Sequence, residues 1–271
     1  MLIAQITDMH IREPGTLAYR RVDTAAHLER CIAQVMRLDP LPDVVLVTGD
    51  LTDKGRPEEY RHLRGLLAPL TMPVYVVPGN HDERAALRSA FRDHDYLPQD
   101  GEFLHYTIDQ YPLRLIGLDT VVPGLGGGML CDERLRWLEA RLAETPEKPT
   151  VIFMHHPPFK TGIAIMDFIG LADADAFGEI VAKHPQVERI LCGHLHRAIH
   201  ARLWGTLAST CPGSAHQVEL ELRPNTAAGF VMEPPGYQLH HWNGAQLISH
   251  TAFVGDFDGP HPFFEAGRLI E

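Results

Sequence analysis

The stretch PVYVVPGNHDE, Pro73–Glu83, decides the fold class. A β-branched and aromatic run stops at Pro78 and Gly79, and an amide, an imidazole and a carboxylate follow at once as Asn80, His81 and Asp82. A run with no polar alternation is expected of a strand covered on both faces, and Pro-Gly ends such a strand in a turn. Toward the N-terminus the design recurs twice, in LIAQITDMH (Leu2–His10) and DVVLVTGDL (Asp43–Leu51). The segments between these runs read as helices. DTAAHLERCIAQVMRL (Asp23–Leu38) opens on an Asp N-cap and spaces Leu28, Ile32, Val35 and Met36 along one helical face, and RPEEYRHLRGLLAPL (Arg56–Leu70) places Pro57 in a first turn. The resulting β-α-β-α-β order predicts an α/β fold with parallel strands and right-handed crossovers.

Toward the C-terminus, LRLIGLDT (Leu113–Thr120), TVIFMHHPP (Thr150–Pro158) and ERILCGH (Glu188–His194) read as further strands. DERLRWLEARLAE (Asp132–Glu144) and DAFGEIVAKH (Asp175–His184) read as helices. After His196 the texture changes to strands and hairpins, and this tail is expected to complete a second sheet. The domain reading is a catalytic unit over 1–222 and C-terminal strands over 223–271. Within the latter, MEPPGYQLHHWNG (Met232–Gly244) is a candidate lid or oligomer contact.

The chain has 271 residues, ample for one large core, and no low-complexity linker divides it. Its 24 Lys and Arg against 35 Asp and Glu give a formal charge of −11, which argues against long nucleic acid or a membrane surface as partner. No apolar run reaches 18 residues and the N-terminus lacks a basic region before its apolar run, so neither a membrane span nor a signal peptide is expected. The four cysteines are scattered without a CxxC pair, the pattern of reduced thiols in a cytoplasm.

The polar residues at the strand ends form the functional signal. Asp8 and His10 end the first strand, Asp50 the second, Asn80 and His81 the third. His155 and His156 end a later strand, and His194 and His196 follow another. Ligands of parallel sheets gather outside the carboxyl ends of strands. Taken singly, each residue has a bland reading: a turn carboxylate, a cap, a core imidazole. Five strand ends delivering Asp, His and Asn to one edge are hard to obtain as solvated loops. Carboxylate, imidazole and amide oxygen suit Mn, Fe, Co or Zn, and the absence of thiolate argues against a structural zinc site. Two such cations can clamp a phosphoryl group and activate a water.

The set DMH, GDL, GNHDE, HHPP and GHLH, spanning Asp8 to His196, resembles the calcineurin-like binuclear metallophosphoesterases. With GRPEEY (Gly55–Tyr60) and PGSAHQV (Pro212–Val218), it is similar to the class III cyclic nucleotide phosphodiesterases and bacterial glycerophosphodiesterases. The resemblance implies a four-layer α-β-β-α sandwich with two mixed sheets and a metal site at the strand C-terminal ends. It implies two divalent metal ions, one held by Asp8, His10 and His196, the other by Asn80, His155 and His194, with Asp50 bridging. His81 would act beside the phosphate with Asp82 orienting it, and His216 would approach from the second sheet. The implied activity is hydrolysis of small phosphodiesters, glycerophosphodiesters or 3′,5′-cyclic nucleotides, by a homo-oligomer of two or more chains. The rivals are a phosphomonoesterase on the same site, a non-catalytic binding scaffold, and a metal-storage or sensor protein. Tyr19, Phe159, Phe168 and Trp204 are candidate shelves for a base, and Arg12, Arg20 and Arg21 candidate substrate contacts.

Overall fold

A computed structural model describes residues 1–270. Leu2–Ile6 (β1), Val44–Thr48 (β2) and Val74–Val77 (β3) run parallel in one sheet. Between them stand the helices Thr24–Val35 (α1) and Pro57–Leu67 (α2). Asp23 caps α1 as its sequence requires, its side chain accepting from Ala26 N at 3.0 Å. A second sheet is built from Tyr106–Ile108 (β4), Arg114–Leu118 (β5) and the strands Thr150–Met154, Val187–Cys192, Thr206–Thr210 and Ile199–Leu203.

Side-chain alternation stacks the layers. Leu115, Val151, Phe153 and Leu191 bury with β1, β2, α1 and α2 in one core. Their sequence neighbours Ile116, Ile152, Met154 and Ile190 bury on the opposite face, against helices Asp132–Glu144 and Ala174–Val181. Successive strand residues point to opposite faces, so this split places the sheets face to face with helices outside each. The expected four-layer sandwich is the observed one. Gln5 ties the sheets together in the middle, its amide donating to Thr48 Oγ1 and to the Cys192 carbonyl, both at 2.9 Å.

The tail departs from expectation. Its long hairpin, Gly236–Trp242 and Leu247–Phe253, joins the sheet of β1, antiparallel to it, rather than completing the second sheet. Only the hairpin Ile199–Leu203 and Thr206–Thr210 extends the second sheet. β1 is almost fully buried, and its outer row of main-chain groups needs partners that water cannot supply. Of Ala215–Leu222 only Gln217–Val218 is strand, in a two-residue ladder with Phe230–Val231. The short helices Arg84–Ala90 and Ala164–Phe168 carry too few turns to show a period in the sequence. No helix among the described residues is long and apolar enough to cross a membrane.

The Gly236–Phe253 hairpin locks onto β1 through His240, whose Nε2 lies 3.1 Å from Gln5 Oε1 and Nδ1 2.7 Å from Ser249 Oγ. Burial, with Arg189 nearby, pulls this imidazole from its ordinary 6.5 down to about 3. The unfolded chain therefore takes up a proton below about pH 6.5 that the folded chain refuses. The stability is present above that pH and is lost as pH falls toward 3. A His240→Gln variant should lose denaturation midpoint less steeply between pH 7 and pH 5 than the parent, whatever its offset at pH 7. Parallel slopes would remove His240 from the acid response.

Candidate metal centre

The glycines ahead of the polar residues let the strand ends converge. A Cβ on Gly79 would sit 2.2 Å from Asp50 N, and one on Gly49 would sit 2.3 Å from His155 Nδ1. The turns are strained as well as tight. Asp8, His10, Asp50, His194 and His196 all adopt left-handed backbone, with φ between 44° and 70°. Such conformations are costly for non-glycine residues and collect at functional sites.

The seven candidate ligands come together as two groups. In the first, His10 Nε2 lies 3.2 Å from His196 Nε2, which lies 3.4 Å from Asp8 Oδ1. In the second, His155 Nε2 lies 3.1 Å from Asn80 Oδ1 and 3.2 Å from His194 Nδ1. Asp50 Oδ2 stands between the groups, 3.5 Å from His10 Nε2 and 3.4 Å from His155 Nε2.

The hydrogen-bond network sets the tautomers. His155 Nδ1 donates to the Thr48 carbonyl at 2.9 Å, His196 Nδ1 to the His216 carbonyl at 3.0 Å, and His194 Nε2 to the Ile169 carbonyl at 3.0 Å. Each of these rings thus turns its other nitrogen inward, and at His155 the Asp50 carboxylate overcomes burial and raises the imidazole to about 9. The inward nitrogens of His155 and His194 lie 3.2 Å apart, within reach of one cation. His10 completes the pattern with Nδ1 3.5 Å from Asp53 Oδ1, both atoms buried and otherwise without a hydrogen-bond partner. Anchoring the far nitrogen of a histidine on a carbonyl or carboxylate is how metal-binding imidazoles are oriented. The donor set of imidazole nitrogen, carboxylate and one amide oxygen fits two divalent cations.

Burial alone would raise the Asp50 carboxyl, but His155, His81 and His10 around it hold it well below the usual carboxylate range. An anion is thereby kept at the point shared by both groups. His216 stands 4.6 Å ring to ring from His196 and 5.6 Å from His10, as its motif implied. Burial, together with His196 and His10, pushes it far below the ordinary imidazole range, so it is neutral. His81 is the more open imidazole. Its Nδ1 donates to the Asp53 carbonyl at 2.9 Å and its backbone N–H donates to Asp50 Oδ1 at 2.9 Å.

Asp82 does not orient His81. Its carboxylate accepts from Leu51 N, Gly79 N, Thr52 N and the Tyr60 hydroxyl, which knits the β2 and β3 turns together. The residue that holds both His10 and His81 is Asp53, which the strand-end pattern did not single out. Its signal was a second carboxylate three positions after Asp50, and Arg12 secures its other oxygen at 2.9 Å. His156 is not turned to the centre: Thr120 Oγ1 lies 2.7 Å from its Nδ1, and its Nε2 donates to the Gly126 carbonyl at 3.1 Å.

A cavity of about 330 Å³ opens over the centre. His10, Asp50, Asn80, His81, His194, His196 and His216 form its floor, and Tyr19, Met166, Ile169, Val218 and Phe230 its walls. Larger hollows lie elsewhere on the surface but contain none of the converging ligands. Of the other candidates only Tyr19 reaches the cavity. Phe159 packs on the second core, Trp204 packs against Phe177, and Phe168 is 85% exposed. Arg12 is occupied by Asp53 and Glu59, and Arg20 and Arg21 are outside the lining.

Residues 1–198 match the family model of the calcineurin-like phosphoesterases. The chain is 41% identical, over the full length of both proteins, to a probable glycerophosphodiester phosphodiesterase, GpdQ, of Arcobacter nitrofigilis. It is 34% identical to a probable cyclic nucleotide phosphodiesterase of Rhodopseudomonas palustris, over 96% of this chain and 94% of that one. Among solved structures, a dimetal phosphatase from Danio rerio shares the fold with a TM-score of 0.65 at 17% identity, covering 94% of this chain and 98% of that one. Converging strand ends, paired ligand groups and the family match lead to one assignment: the chain belongs to the calcineurin-like phosphoesterase family.

Proposed function

We propose that the protein hydrolyses small phosphodiesters with two divalent cations, and that glycerophosphodiesters are its first substrates. The observation that carries this is Asp50 Oδ2, placed within 3.5 Å of a histidine from each ligand group at the floor of a cavity without Lys or Arg. Asp8, His10 and His196 would hold one cation, Asn80, His155 and His194 the other, and Asp50 both. Bound there, the pair would supply an activated water and positive charge against the nonbridging phosphate oxygens. The chain's own residues do the positioning. The carbonyls of Thr48, Ile169 and His216 hold the far nitrogens of three histidines and so aim the near ones at the cations, and His81 would offer its free nitrogen beside the phosphate. Neutral His216 closes the opposite side of the floor.

The glycerophosphodiester choice rests on the similarity to the Arcobacter relative and on the cavity walls, which have almost nothing to read a nucleobase by hydrogen bonding. Cyclic nucleotides are the second reading, from the Rhodopseudomonas relative. Imidazole and oxygen donors without thiolate favour Mn, Fe, Co or Zn. Exposed Phe257, Phe263, Phe264 and Leu269 near the C-terminus support a homo-oligomer, and four free cysteines support a reducing, cytoplasmic setting.

The test pairs elemental analysis with assays of the Mn-loaded protein on bis(p-nitrophenyl) phosphate and p-nitrophenyl phosphate. Two metals per chain and preference for the diester are expected. Preference for the monoester would overturn the substrate class, and silence on both with metals bound would favour a binding scaffold or a metal-storage protein.

A further inference from the structure

The apolar wall of the cavity comes largely from one short flap. Val218 pairs with Phe230 in the two-residue ladder, which carries the chain out past Glu219 and back over His216. Glu219 N donates to the Gly229 carbonyl at 3.0 Å and closes the flap at its base. Phe230 is then fixed by packing. Its ring centroid lies 5.2 Å from Tyr19 and 5.3 Å from His216, and it rests on buried Ala18, Val22 and Ala215. Immediately before it, Ala228 and Gly229 also line the cavity, and they are the smallest residues there.

The volume of about 330 Å³ lies at the lower end of the roughly 300–1,000 Å³ of small-molecule sites. Two cations and a phosphoryl group take part of it. What remains is bounded by Phe230 on one side and the polar floor on the other, with the small Ala228 and Gly229 next to Phe230. Outside the floor, the Tyr19 hydroxyl is the one polar side-chain group of the lining. Such a wall selects by bulk rather than by hydrogen bonds.

We propose that Phe230 sets the size of the ester group admitted, leaving room for a small alcohol and shutting out the purine of a 3′,5′-cyclic nucleotide. This rests on the phosphodiesterase reading above. Discrimination by apolar bulk in a pocket is worth roughly 10–200-fold for a change as small as one methylene.

The experiment measures kcat/KM on glycerophosphoethanolamine and on 3′,5′-cyclic AMP for the parent, Phe230→Ala and Phe230→Trp, each with its metal content and melting midpoint. Phe230→Ala should shift the ratio toward cyclic AMP by about tenfold or more, and Phe230→Trp should shift it the other way. A parent that turns over neither diester with two metals bound would sink the phosphodiesterase reading itself. A parent that is active, with a ratio that neither variant moves, would sink only the gate. Should Phe230→Ala melt early, Phe230→Trp and Phe230→Leu decide by the same ratio.

Discussion

Asp50→Asn should leave the protein folded, hold fewer than two metals per chain and lose about 10⁴-fold in turnover. Asparagine keeps the shape of the side chain and can still accept the His81 backbone N–H that Asp50 Oδ1 accepts at 2.9 Å. It cannot keep the negative charge. Asp50 Oδ2 is the one atom within 3.5 Å of both His10 and His155, so the two ligand groups lose their common anion together. Metal assistance in hydrolysis contributes several kcal/mol, and each 1.36 kcal/mol is tenfold in rate, which sets the size of the loss. Elemental analysis and a diester assay on the same preparation check it. Two metals per chain with more than a tenth of the parent's turnover would show that Asp50 does not bridge.

His81→Ala should behave differently, retaining both metals while kcat falls roughly 10²–10³-fold, the loss expected for one donor to a developing oxyanion. The His81 side chain makes its hydrogen bond to the Asp53 carbonyl, not to the ligand atoms, and its backbone N–H to Asp50 survives the substitution. Its ring lies edge-on to His10 at 4.6 Å and lines the cavity. The Asp50 carboxylate and the Asp53 carbonyl overcome burial and raise its pKa, so the protein groups around it favour the protonated, donating form. The ratio of metal content to kcat is the readout. A full metal complement with unchanged kcat would make His81 a packing residue of the rim.

The ligand set was legible because each member ends an apolar run, and apolar runs in α/β order have only one edge to deliver them to. Asp8, His10, Asp50, Asn80, His155, His194 and His196 could all be named from that pattern, and they do meet. What holds them in place was not legible. The carbonyls of Thr48, Ile169 and His216 choose the tautomers of three ligand histidines, and a backbone carbonyl has no sequence signature. Asp82 and Asp53 show the same limit in side chains. Both follow a ligand closely in the chain, yet Asp82 turns to the main chain of the neighbouring strand end while Asp53 turns to His10 and His81.

Legible in the chain itself were the parallel order of the first half and the candidate ligands, with the layers and the family carried by the motif resemblance. Periodicity and strand-end chemistry are local, and local patterns survive in a linear chain. Packing between distant segments put the Gly236–Phe253 hairpin on the first sheet, because β1 needed a partner for its buried outer edge. It also decided that Phe230, from a stretch with no local motif, walls the cavity over His216, while Phe168 and Trp204 stand away from it. Those outcomes depend on contacts between segments up to hundreds of residues apart, and only packing brings such segments together.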